Sequence, residues 1–368
     1  FLYREHRGDH DFRHLSREGK SYDRRTFETL LPFIYYRNME LWGLLPITID
    51  GKVFDPTTIV SDRLVFEFKP HALPSHHTDI PVFPLIEANP GQARLQFPED
   101  VFRFTDKRME FLDVDTLKIN DGLTYAFTEA LSAQGFRFPV RLVEGKATIL
   151  KPFDEGYLVV DAVGAVFHIK RVDGRPRVIR TPIATDLGIR AIQVMENDRR
   201  RFLGILLTHD QRLFLIGQDD YRLFPLPTEG YDPDRMAYKV IFNPVAPTAS
   251  WGDATIMRAN ALTPELKPFD SFQWTRSVEA TPLARRMAWI VFPFEISLAA
   301  HQSEHLTWHF EYHDWTGLLG ALMLATLVFL IGRQRFASHD LALMVVGTAL
   351  VGVFGLVAGV LARHLRKT

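Results

Sequence analysis

The sequence HQSEHLTWHFEYHD places His301, His305, His309 and His313 at every fourth position. On a helix this spacing drifts by about 40° per step and sets neighbouring imidazoles on one face, a donor set suited to zinc, copper or haem iron. The same residues contain an HxxEH order, His301, Glu304 and His305, which resembles the inverted zinc-peptidase motif. That chemistry needs a further ligand well downstream, and Glu311 is the one glutamate left before the apolar run that begins at Thr316. A second reading competes. Trp308, Phe310 and Tyr312 alternate with His309, Glu311 and His313, a period of two that makes a strand with one aromatic and one polar face. Under that reading the histidines are interfacial polar groups and no cofactor is expected. His71, His76 and His77 form another small cluster, in the loop-like sequence PSHHTD, where solvated side chains are expected.

Other chemistry lacks its parts. There is no GxGxxG after a strand, no GxxxxGK[ST], no HExxH and no GxSxG, which removes the dinucleotide, phosphate-loop and serine-hydrolase readings. DVDTLKINDG resembles a calcium loop in outline, but its third ligand position is Leu117, which offers no side-chain oxygen. With no cysteine in 368 residues, a disulfide scaffold and a thiolate zinc site are excluded, and the absence fits a periplasmic setting. No catalytic residue is assigned, and the chain is not expected to be an enzyme.

The elements that hold these residues fall into two kinds. Lys and Arg number 43 against 44 Asp and Glu, yet residues 333–368 carry a net +4 and the remainder −5. The acidic balance of the larger part argues against nucleic acid as a partner. Residues 316–332 and 341–362 are uncharged apolar runs joined by a short polar turn, with Trp315 at the start and Arg363, His364, Arg366 and Lys367 after the end. They predict a transmembrane helical hairpin in a lipid bilayer. Arg333 and Arg335 in the turn oppose Arg363, Arg366 and Lys367 in the tail, so charge does not orient it. Gly352, Gly355 and Gly359 line a GxxxG-type face suited to close helix contact, and Gly317, Gly320, Ala321 and Ala325 give the first run a similar face. These faces pack the hairpin on itself or on another subunit. A chain that starts at Phe1 is expected to have an N-terminal segment before it, of the signal or anchor kind.

Upstream, short β-branched and aromatic runs alternate with turns: YLVVDA, AVFHIKRV, RVIRT, RRFLGILLT, RLFLIG and YRLFPLP. The pattern continues more loosely at 238–242, 254–258, 271–275 and 287–294. Residues 1–150 are mixed, with helical spacing at 23–36 and 123–134 and strands at LVFEF, ARLQF, VFRFT and RMEFL. The expected architecture is mainly β with a few helices. Residues 1–150 form a mixed N-terminal region, 151–315 antiparallel blades of a propeller or a large sandwich, and 316–332 and 341–362 the two membrane helices.

LPFIYYRNMELWGLLPITIDGKVF, FPLIEANPGQARLQFPEDVFRFTDKRMEFLDVDT, KPFDEGYLVVDAVGAVFHIKRVDGRP, VMENDRRRFLGILLT and QDDYRLFPLP together resemble a family of bacterial membrane proteins of unknown function, over about residues 12–245. The resemblance implies a large extracytoplasmic β domain on the bacterial inner membrane, encoded beside an ABC transporter ATPase and permease. It transfers no catalytic role to Asp154, Glu155 or Asp161, which lie in one of the shared blocks. The expected function is a membrane-anchored, non-catalytic accessory subunit of an ABC-type transport complex, with the permease and ATPase as partners. The alternatives are a metal- or haem-associated subunit of a membrane redox enzyme, built on the four histidines, and a membrane sensor.

Overall fold

A computed structural model of the chain describes residues 1–8, 11–77, 80–253, 255–275, 294–299, 307–312, 315–334, 336, 338–351, 357, 358 and 360. The chain divides into two compact units, 1–275 and 276–368.

The first unit is built around a four-stranded antiparallel meander of Ile189–Val194, Phe202–Thr208, Leu213–Gly217 and Leu223–Pro225. FLGILLT and LFLIG are buried at every position. A strand with one wet face alternates, so an unbroken apolar run needs cover on both faces. One face of this central sheet, through Ile192, Leu203, Leu206 and Ile216, packs on Leu158, Val160 and Val166 of a second four-stranded sheet. The other, through Phe202, Ile205, Leu207 and Leu215, packs on Phe66, Tyr238, Val240 and Trp251 of a five-stranded sheet. Gly204 sits at a register shift in this sheet, where a Cβ would come 2.2 Å from the Gln193 carbonyl oxygen.

The second sheet comprises Leu142–Gly145, Tyr157–Val160, Val166–Val172 and Arg175–Arg180. It therefore runs across residue 150. Its outer face, through Tyr157, Val159, Phe167 and Ile169, packs on Phe102, Phe111, Phe127 and Leu131. These belong to a three-stranded sheet, Phe83–Pro84, Asp100–Phe104 and Met109–Asp113, and to the helix Asp121–Ala133. The Asn120 side chain caps that helix by accepting from the Leu123 N–H at 3.1 Å. The five-stranded sheet runs Pro268–Thr275, Ile256–Leu262, Thr248–Gly252, Ala237–Phe242 and Leu64–Phe68, so a strand from the N-terminal third completes it.

The first unit is thus mainly β, as expected, with layers stacked face on face. Among the described residues no sheet closes into a propeller. ARLQF is not a strand: Leu95 is buried within an irregular segment, and Pro98 interrupts the chain just before Asp100. The helix expected over 23–36 breaks. Asp23 caps Arg24–Thr29, the chain leaves the helix ahead of Pro32, and a second helix forms at Tyr36–Leu41. At 254–258 the strand starts later than expected, at Ile256, because Asp253 holds a turn by accepting from Thr255 and Ile256 N–H at 2.7 and 3.0 Å.

In the second unit Phe294–Ala299 pairs antiparallel with Thr307–Tyr312, while residues 287–293 lie outside the described residues. Two helices follow, Trp315–Gly332 and Ser338–Val351. They pack on each other, and Gly320, Ala321, Ala325, Leu341, Met344 and Thr348 are buried. At 18 and 14 residues they span about 27 and 21 Å. Among the described residues no helix is long and apolar enough to cross a membrane. The expected second span continues past Val351, and Gly352, Gly355 and Gly359 lie outside the described residues.

Candidate functional site

A buried cluster of ionisable groups in the first unit lies between the second and central sheets. The segment Lys151–Pro152–Phe153–Asp154–Glu155–Gly156 connects two adjacent strands of the second sheet, and Glu196 follows the first strand of the central one. Lys151 Nζ donates to Asp154 Oδ1 at 2.5 Å, to Glu196 Oε1 at 2.7 Å and to the Lys146 carbonyl at 2.7 Å. The Glu155 N–H donates to the same Glu196 Oε1 at 2.7 Å, and the Gly156 N–H to Asp154 Oδ2 at 2.9 Å. The side chains of Lys151, Asp154 and Glu196 are 1%, 2% and 0% exposed, so no substrate reaches them in this conformation.

The turn at Gly156 makes this arrangement possible. Its φ is +69°, and a Cβ there would lie 2.1 Å from the Ile169 carbonyl oxygen of the neighbouring strand. Only glycine combines the left-handed backbone with so close an approach.

Beside this triad, Glu155 Oε2 pairs with Lys170, and the Glu155 carbonyl accepts from His168 Nε2. A carbonyl accepts only, so His168 carries its proton on Nε2, and its Nδ1 accepts from the Tyr221 hydroxyl at 2.8 Å. Burial holds the His168 pKa down at about 4, so the ring is neutral at physiological pH. Tyr221 belongs to the central sheet's core and His168 to the second sheet, which makes this a second polar link between the same two layers.

Three carboxylates face two ammonium groups in this cluster. Burial pushes the Asp154 and Glu196 carboxyls above the ordinary carboxylate range, against the opposing pull of their hydrogen bonds and of Lys151. Glu196 Oε2 is buried without a hydrogen-bond partner. An unpaired buried oxygen disfavours the charged form, in the same sense as the burial of the two carboxyls. The arrangement has the chemistry of an internal bolt: Lys151 joins two buried carboxyls from different sheets, and the three side chains are closed to solvent.

Asp161 is likewise structural. It accepts from the Val163, Ala165 and Arg137 N–H groups at 3.0, 2.8 and 3.1 Å and thereby shapes the turn after Tyr157–Val160. In DVDTLKINDG, Asp113 accepts from Thr116 and Asn120 caps the following helix, so these residues organise the backbone. His77 Nδ1 lies 3.0 Å from the His71 carbonyl oxygen, whereas His76 Nε2 faces Asp234 Oδ1 at 3.4 Å, and Asp234 also binds Arg190.

Of the four spaced histidines, His301, His305 and His313 lie outside the described residues. His309 sits on a strand opposite Ser297. The ladder pairs Trp308, Phe310 and Tyr312 with Leu298, Ile296 and Phe294, the period-two arrangement rather than the helical one. Among the described residues no group of three or more His, Asp or Glu could hold a metal ion.

The sequence marks Asp154, Glu155 and Asp161 as members of a shared block and gives them no role; Lys151, His168, Glu196 and Tyr221 lie in the shared blocks too and are not singled out by it. The available clue was a run of charges, KPFDEG, directly ahead of an unbroken apolar strand, a place where charge is costly unless paired.

No protein of curated function matches the chain. Residues 1–262, which contain every member of the cluster, match the family described as Domain of unknown function (DUF4857), and because the match spans well over half of the chain, the protein belongs to that family.

Proposed function

We propose that this chain is a membrane-anchored, non-catalytic accessory subunit of an ABC-type transport complex, with its β domain outside the bacterial inner membrane and its C-terminal helices in the bilayer against the permease. The observation that carries this reading is the surface of the helical hairpin. Leu322, Met323, Leu327, Leu330, Ile331 and Val346 are each more than half exposed, and residues 316–332 contain no charge. Soluble proteins seldom leave apolar surface of this continuity uncovered, and lipid or another subunit's helices are its natural cover.

The helix Trp315–Gly332 reaches nearly the thickness of a bilayer core. In this reading the second helix continues over 341–362. Resemblance to the bacterial membrane family adds the extracytoplasmic side and the ATPase and permease partners. The inaccessible charge cluster fits a subunit whose work is to hold or guide cargo while ATP is hydrolysed in a partner. No cofactor is included.

Mild-detergent purification from native membranes tests the whole reading. Co-purification of an ABC ATPase and permease in fixed ratio is expected. Full release of the chain by alkaline carbonate would remove the membrane anchor and the reading with it.

A further inference from the structure

Residues 137–180 carry nine Lys or Arg against five Asp or Glu, a net +4, while the rest of the first unit, 1–136 and 181–275, is net −7. Much of the excess gathers on one edge. The strand Arg175–Arg180 lies last in the order of the second sheet, so among the described residues one of its sides has no neighbouring strand. Arg175 and Arg177 stand on one face of it and Arg180 on the other, a row of about 17 Å. The Arg180 guanidinium comes 3.6 Å from the point where a Cβ on Gly135 would stand, two residues before Arg137. All four arginines are exposed.

These guanidiniums are uncommitted. Many arginines elsewhere in the unit are paired, as Arg24 is with Glu28, Arg103 and Arg108 with Glu110, and Arg190 with Asp234. Among the described residues Arg137, Arg175, Arg177 and Arg180 have no ion pair, side-chain hydrogen bond or ring partner. Nearby carboxylates are occupied: Glu155 pairs with Lys170, which lies opposite Arg177, Asp173 accepts from Asn89, and Asp161 holds three N–H groups. Charge and proline on a strand edge also deter the addition of another strand. Pro176, which has no N–H, serves that end here, but Arg137 lies outside the strand and needs a different account.

Four guanidinium forks call for anionic oxygens. The extent of the basic region selects their source. A bilayer or a nucleic acid presents negative charge to the whole unit, which is net −3, and most of the unit repels it. A narrow segment laid along the strand meets the row alone, since charge beyond about 8–10 Å is screened. We propose that the edge Arg175–Arg180, together with Arg137, docks an acidic segment of a partner protein, extended and with carboxylates at alternate positions to match the Arg175–Arg177 spacing of about 7 Å. All four arginines belong to the first unit, so this docking is independent of whether the C-terminal helices enter a membrane.

The test uses the full chain in dodecyl maltoside, a neutral detergent, with a fluorescein-labelled peptide of alternating Glu and Thr read by anisotropy. Saturable binding at one peptide per chain, weakening as salt rises, is expected. Arg175→Gln combined with Arg177→Gln should weaken it about tenfold or more, the size of one lost charge-assisted contact. Arg63→Gln combined with Arg94→Gln removes the same charge from two other exposed arginines and should leave binding unchanged. Every substituted position is exposed, and unchanged melting of both variants checks that the fold is kept. Absence of saturable binding, or equal losses in the two double variants, overturns the assignment. So does protection of residues 175–180 from hydrogen exchange by phosphatidylglycerol without the peptide, which would give the edge to lipid headgroups.

Discussion

Lys151 serves two buried acceptors that have no other cation in contact, Asp154 and Glu196. Its loss should therefore cost far more than the removal of one negative charge. Lys151→Met leaves an uncompensated carboxylate pair, and unfolding stability should fall by about 3–5 kcal/mol, as for other broken buried ion pairs. Glu196→Gln keeps the acceptor oxygen used by Lys151 and by the Glu155 N–H while deleting the excess charge, so it should stay within about 1 kcal/mol of the wild type. Denaturant melts of the two variants decide the matter, and equal costs would show that the cluster does not work as a charge-balanced unit.

His168 makes a separate prediction with a defined sign. Its pKa is about 4 in the fold against 6.5 for an ordinary imidazole, so between these values the unfolded chain binds more protons than the folded one. Stability is then lost as pH falls through that window, by about 3 kcal/mol for this group. The raised Asp154 and Glu196 carboxyls act in the opposite sense. They favour the fold at pH below their raised values and withdraw that contribution as pH rises through them. His168→Gln keeps a donor for the Glu155 carbonyl and removes the titration. Its melting temperature should vary less than wild type between pH 6.5 and 4, and an unchanged slope would remove His168 from the acid limb.

At the scale of elements, turns differ in how much packing they carry. Gly156 and Gly174 both have positive φ, +69° and +73°, yet an added Cβ meets the Ile169 carbonyl at the first and nothing within 4 Å at the second. Gly174→Ala should cost about 1–2 kcal/mol of backbone strain alone. Gly156→Ala adds a steric conflict with a strand that cannot retreat without breaking the cluster, and should cost about 3 kcal/mol or more, or prevent folding. Similar stabilities for the two variants would mean that the Gly156 turn relaxes freely.

At the scale of the whole molecule, the layers of the first unit are joined by their apolar cores and by the two polar links between the second and central sheets. If the protein binds no metal, as proposed, a strong chelator should leave the melting temperature of the full chain unchanged, as should His305→Ala combined with His309→Ala. A bound ion would stabilise the fold by an amount set by its concentration relative to Kd, and its removal would shift the melt. Stoichiometric zinc, copper or haem lost in the double variant would replace the transport reading with a redox one.

What the sequence determined by itself was local. Short β-branched and aromatic runs and turn residues marked most of the strands of the central and second sheets, and the structure shows FLGILLT and LFLIG buried at every position. The uncharged run over 316–332 marked its helix. Tertiary structure decided what depends on partners distant in the chain. Leu64–Phe68 completes a sheet otherwise made from residues 237–275, and Glu196 meets Lys151 across 45 residues. Periodicity states which face of a strand is dry, but says nothing about which other strand dries it. That choice follows from how the layers stack, and it turned scattered charges in KPFDEG and beyond into one cluster.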